Sequence, residues 1–159
     1  MSEITDFYYG IGTDHSGRYL REYRDFTVDQ LEQTHDYIQW MFPNMEASQY
    51  NPDAPLLTYD DIDAFMDDQL LQNAASVMAH DMYNFYMNNA QIWITPHNHN
   101  YLRITRIMKF LNAIELQHPM GCSEADRFFA MAVHFYAAYP QKIGKETLRF
   151  WLDASEYKA

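Results

Sequence analysis

Between Gly17 and Gly121 the chain contains no glycine; its remaining three are Gly10, Gly12 and Gly144. A backbone without its most permissive residue over that distance has few routes into left-handed geometry, so long helices are expected there. The six prolines, Pro43, Pro52, Pro55, Pro96, Pro119 and Pro140, fall between periodic segments and read as their punctuation. No β-alternating run exceeds a few residues, and no internal repeat occurs. The expected fold class is all-α, a compact bundle of five to six helices over residues 27–157, preceded by an irregular aromatic segment at residues 1–26.

Local start signals place the helices. Thr27-Val28-Asp29-Gln30 is a capping box, and Phe26 with Leu31 suits a hydrophobic staple. Leu31, His35, Ile38 and Phe42 follow at helical spacing, which predicts one helix running to Pro43. Thr58 with Asp61, flanked by Leu57 and Ile62, repeats the start pattern for a short acidic helix. Leu71, Ala75, Met78, Met82 and Phe85 predict a longer third helix, from Asp68 to a point before Thr95-Pro96. In the fourth, Ile104, Ile107, Met108, Leu111 and Ile114 share a face, with Arg103, Arg106 and Lys109 mostly off it. Ser123 caps a fifth, with a stripe of Phe128, Ala132, Phe135 and Tyr139; Leu148, Trp151, Leu152 and Ser155 suit a last one.

At 159 residues the chain is expected to form a single domain, residues 1–159. Surface scaling lets a chain of this size bury about 70% of its extended surface, so no staple is required. Its one cysteine, Cys122, rules out an internal disulfide and a cysteine-based zinc cage, and suits a reducing compartment. Eleven Lys and Arg against 22 Asp and Glu give a formal charge of −11, which disfavours nucleic acid as a partner, since that affinity is mostly cation contact with phosphate. No basic cluster followed by an apolar run opens the chain, so no signal peptide is expected. The longest uncharged run, Met82 to Leu102, carries five asparagines and Pro96, and Phe128 to Gln141 is too short to cross a bilayer. The expectation is a soluble, cytoplasmic or otherwise intracellular protein without a transmembrane segment.

Two strings then carry a family. Leu31-Glu32 followed by His35-Asp36-Tyr37-Ile38-Gln39-Trp40-Met41-Phe42-Pro43 resembles the first signature of the opioid growth factor receptor conserved domain. His99-Asn100-Tyr101-Leu102-Arg103-Ile104-Thr105-Arg106-Ile107-Met108-Lys109 is similar to the second, in the same order. Weaker similarity covers the helix from Leu70 to Tyr86, the aromatic helix from Ser123 to Tyr139 and the Phe150-Trp151 ending. The resemblance implies an all-α binding domain. Vertebrate members are described as binding the enkephalin-type opioid growth factor, as nuclear-associated, and as carrying long tails beyond this domain.

Several groups of residues could carry chemistry. Trp40 with Phe42 and Pro43 at a helix end suits an aromatic pocket, and equally suits closing the core where the helix stops. His97-x-His99 has chelating spacing but no carboxylate near in sequence. Arg103, Arg106 and Lys109 suit an acidic partner or phosphate, or pairing with the chain's own acids in the Asp60 to Asp68 cluster; that cluster itself reads as an acidic first helical turn, which the helix dipole favours. Cys122, just before the Ser123 cap, has no base partner in view and is expected to be a small buried residue. His35, His80, Asp81 and Asp126 mimic the ligand order of metal-dependent phosphohydrolases of the HD type.

The leading expectation is a non-catalytic binding domain for a peptide or small ligand, with no cofactor and no metal. His35, Trp40, His99, Arg103 and Arg106 are its ligand-binding positions: the cations hold a carboxylate and the aromatic wall holds a ring. The alternatives are the HD-type hydrolase on His35, His80, Asp81 and Asp126, and a structural self-assembly module using the chain's exposed aromatics.

Overall fold

A computed structural model describes all residues, 1–159. Ten α-helices and one 3-10 segment account for 63% of them, and the sole extended pairing is an isolated bridge between Gln117 and Ser123. The chain is all-helical, as expected, but eleven helical segments replace the expected five to six, because several predicted helices are divided and the segment expected to be irregular contributes two more. It forms two compact units, Met1–Met78 and Ala79–Ala159.

In the first unit, the segment expected to be irregular begins with a helix, α1 (Glu3–Tyr9). Ser2 accepts from the Thr5 backbone N–H while the Thr5 hydroxyl accepts from the Ser2 N–H, a reciprocal cap built with Thr in place of Glu or Gln. Gly10, at φ 77°, closes it in the left-handed conformation that a side chain would strain. A 3-10 turn, Leu20–Asp25, follows.

The predicted helix from Thr27 to Phe42 is broken. Its cap forms as expected, with the Thr27 side chain accepting from Gln30, but α2 (Val28–Gln33) ends at an extended Thr34, and α3 (Ile38–Met41) starts afresh. The break has identifiable ties: the Tyr37 hydroxyl donates to the Leu31 carbonyl at 2.8 Å, and Arg18 and Ser16 both hold the Asp36 carboxylate at 2.6 Å. His35 therefore lies exposed rather than on an apolar stripe. The α4 cap at Thr58 with Asp61 forms as read, and α4 spans Tyr59–Asp67. The core here is aromatic, with Phe7 edge-on to Trp40 at 5.4 Å and Tyr8 edge-on to Phe65 at 4.9 Å. The Tyr8 hydroxyl also donates to the Met41 carbonyl, fixing α1 against the end of α3.

The third predicted helix is α5, Gln69–Asn88, which stops short of Thr95. Asn89 donates to the Phe85 carbonyl at 2.8 Å and ends it, and a single turn, α6 (Ala90–Trp93), brings the Trp93 indole N–H onto the Tyr86 carbonyl at 2.9 Å.

In the second unit, α7 (Asn100–Ala113) buries Ile104, Ile107, Met108 and Leu111, with Ile114 just beyond its end, as the spacing predicts. Arg103, expected off that face, is only 4% exposed. Ser123 caps α8 (Glu124–Ala138), whose Phe128, Ala132 and Phe135 are buried while Tyr139 turns out to solvent at the helix end. Gly144, at φ 88°, separates α9 (Pro140–Ile143) from α10 (Lys145–Ser155). Trp151 is buried as expected, but Leu152 is exposed, because its predicted stripe is wider than the face α10 buries. No helix is long and apolar enough to cross a membrane.

Candidate functional site

The five predicted ligand positions fall in both units: His35 and Trp40 in the first, His99, Arg103 and Arg106 in the second. Trp40 is 1% exposed, with its ring edge-on to Phe7 and to the His15 imidazole at 4.8 Å, so it fills core space. His35 and His99 are exposed, and Arg106 and Lys109 are half-buried. Lys109 sits 5.8 Å above the Tyr157 ring, within cation–π range.

Much of the second shared string has a local structural task. Asn98 accepts from both the Asn100 backbone N–H and its side-chain amide at 2.9 Å, while the Asn100 side-chain oxygen takes the Tyr86 hydroxyl at 3.2 Å. Asn100 is wholly buried, so these bonds replace the water it loses. The Tyr101 hydroxyl donates to the Thr95 carbonyl at 2.6 Å and fixes the turn ahead of α7; burial raises that phenol above its usual range. His97 holds a left-handed backbone, φ 59°, in the same turn.

The hydrolase set is not brought together. His80 is exposed and shares a hydrogen bond with Asn84 at 3.0 Å, Asp126 is exposed on α8, and no group of three or more His, Cys, Asp or Glu side chains is placed to hold a metal ion. Cys122, expected to be buried, is exposed in the loop before α8. That loop is held by its backbone, His118 N–H to the Cys122 carbonyl at 2.7 Å, and needs no thiol packing.

Sequence reasoning missed a cleft of about 450 Å³ between the starts of α1 and α4. It is lined by Ser2, Thr5, Tyr9, Thr58, Asp60 and Asp61, with Met1 and Ala64 completing it. The two helix caps meet there: Asp61, only 3% exposed, receives the Thr58 hydroxyl at 2.8 Å and also the Ser2 hydroxyl. The neighbouring Tyr9 hydroxyl donates to Asp68, which also takes the Leu70 N–H at 2.8 Å. These bonds hold the Asp68 carboxyl below the usual carboxylate range and push the Tyr9 phenol up. The lining side chains are rich in oxygen acceptors and include no Lys, Arg or His, so the cleft suits a ligand that donates hydrogen bonds. The Thr58-x-x-Asp61 cap was legible as a helix start; its partnership with Ser2, 59 residues away, was not.

Comparison with known proteins supplies the remaining context. The family model described as the opioid growth factor receptor conserved region matches residues 15–154. The opioid growth factor receptor of Rattus norvegicus is 32% identical over 117 residues, 62% of this chain and 20% of the rat protein. That of Homo sapiens is 33% identical over 107 residues, 57% of this chain and 16% of the human protein. The matched stretch is thus a fifth or less of those relatives' length. No solved structure matches the chain. Residues 1–9, which build the α1 side of the cleft, lie outside the matched region.

Proposed function

This chain belongs to the opioid growth factor receptor conserved-region family, and on that premise we propose that it is a non-catalytic binding domain for a peptide. The observation that carries the reading is the cleft between α1 and α4, large enough for one side chain or a chain terminus and lined by acceptors. A peptide's ammonium or guanidinium group would find Asp60 exposed at the cleft and the hydroxyls of Thr58 and Tyr9 beside it. The relatives' name, a receptor for a growth factor, agrees with a ligand-binding role. Of the predicted set, the exposed His35 and His99 and the half-buried Arg106 serve as secondary contacts, while Trp40 and Arg103 are buried and support the fold.

Amide chemical shifts followed while the enkephalin-type opioid growth factor is titrated test this. Saturating shifts at Thr5, Tyr9, Thr58, Asp60 and Ala64 are expected, and Ala64→Trp, which fills the cleft, should abolish them without changing helicity. Shifts confined to the neighbourhood of His99 and Arg106 would move the site to α7. A spectrum unchanged at saturating peptide would remove the peptide-binding reading.

A further inference from the structure

The chain's net charge is concentrated in one half of it. Residues 25–102 contain twelve Asp or Glu and no Lys or Arg; outside them ten acids nearly balance eleven bases, so this tract carries the formal charge of −11. The outer face of α4 lies in that tract. Its inner positions Asp61, Ile62 and Phe65 are buried, whereas Tyr59, Asp60, Asp63, Met66 and Asp67 are exposed, with Leu70 next on α5. Spacings of three and four place the five α4 residues on a common side of that helix, and Leu70 follows across the extended Asp68.

That face alternates two kinds of group. Tyr59 is 63% exposed and Leu70 68%, with Met66 and the nearby Leu56 also out in solvent. Between them stand Asp60, Asp63 and Asp67, whose carboxylates form no ion pair or hydrogen bond. Asp60 has a fold rationale at the positive end of the helix dipole. Asp67 is the last residue of α4, at that dipole's negative end with no base in its turn, and it also lies two residues ahead of α5, whose positive end favours it.

We propose that the outer face of α4, from Leu56 to Leu70, docks a cationic amphipathic helix of a partner protein, its Lys or Arg side chains meeting Asp60, Asp63 and Asp67 and its apolar side chains meeting Tyr59, Met66 and Leu70. Charge complementarity selects a basic occupant, because residues 25–102 carry twelve acids and no base. Helix-in-groove recognition supplies the apolar affinity and the carboxylates supply register and association rate. The proposal rests on the binding-domain reading and names the partner class for it, with the cleft at Asp60 taking one cation at the edge of the surface.

The probe is a helix-forming peptide of about fifteen residues with Leu and Lys at helical spacing, measured by fluorescence anisotropy against the same peptide with Glu in place of Lys. The Lys peptide should bind, the Glu peptide should not, and affinity should fall steeply as salt rises from about 0.05 M to about 0.5 M. D60N/D63N/D67N should weaken binding about tenfold or more, while the equally discharged control E146Q/D153N/E156Q, on exposed α10 positions and the residue after them, should leave it unchanged. M66S/L70S, which keeps every charge, should weaken it as well. Equal weakening by the control set, or indifference to M66S/L70S, reduces the effect to bulk charge and overturns the proposal. If the Lys peptide does not bind but the enkephalin-type peptide still shifts the cleft amides, this inference falls and the binding-domain reading stands.

Discussion

The Trp151 indole N–H donates to the backbone carbonyl of Tyr101 at 3.1 Å, joining α10 to the first turn of α7, and the two rings meet edge-on at 5.9 Å. The Tyr101 carbonyl also receives the Thr105 hydroxyl at 3.1 Å, so it would not be orphaned without the indole. Trp151→Phe should therefore cost only about 1 kcal/mol for the lost bond and the smaller ring. Trp151→Ala, at a wholly buried position, should cost about 3–5 kcal/mol. Denaturant midpoints of the two variants check the ratio.

Arg18 ties the loop after α1 to the segment between α2 and α3: its Nε reaches Asp14 at 3.0 Å and its Nη2 reaches Asp36 at 2.6 Å. The Asp14 carboxylate is almost fully buried and keeps the Ser16 and Arg18 N–H groups and the Tyr23 hydroxyl as donors. Arg18→Met should destabilise by about 2 kcal/mol, less than the ~3–5 of a fully buried broken pair, because Arg18 is partly exposed and these donors remain. Thermal melts of the variant and of Arg18→Lys test whether the two-carboxylate reach of the guanidinium matters.

Acid should weaken the first unit. Burial works to raise the Asp36 carboxyl, but the bonds from Ser16 and Arg18 and the guanidinium charge outweigh it and hold it below the usual range; Asp68 is held down by Tyr9. Their folded forms bind protons less readily than the unfolded chain does, so this stability is full above about pH 4–5 and is lost as pH falls through the lowered values. The melting temperature should drop below about pH 4, and Asp36→Asn should start lower at neutral pH and lose less on acidification.

Cys122 should react fully with a thiol reagent in the native state at neutral pH. It is exposed, and its loop is held by backbone bonds and by His118 Nδ1 accepting from Met120 at 3.1 Å. Modification should leave the helical circular dichroism unchanged; slow labelling limited by unfolding would place the thiol inside instead.

Local signals proved legible where one turn of chain decides the outcome. The caps at Thr27, Thr58 and Ser123 all form, and the Ile104, Ile107, Met108, Leu111 and Ile114 stripe is buried, because each depends on neighbours three or four residues away. The break at Thr34 was not legible: the periodicity of Leu31, His35, Ile38 and Phe42 is sound, but Arg18, Ser16 and Asn51 hold Asp36 from outside the segment. Arg103 reads as a surface cation by type and packs as a core residue, which spacing does not report. The cleft also needs α1, hidden by a cap with Thr at its third position, so only its Thr58 and Asp61 side was legible, as a helix start.

Three tryptophans divide between the units, Trp40 in the first, Trp93 and Trp151 in the second, and all are shielded from water. Each unit thus carries its own optical reporter. Native emission should be blue-shifted and should move to the red wherever a unit opens, so in one variant carrying Trp93→Phe and Trp151→Phe the Trp40 emission curve reports the first unit and the circular dichroism curve the whole chain. Coincident curves would mean that the chain melts as one cooperative body, and displaced curves that it stores its stability in two instalments.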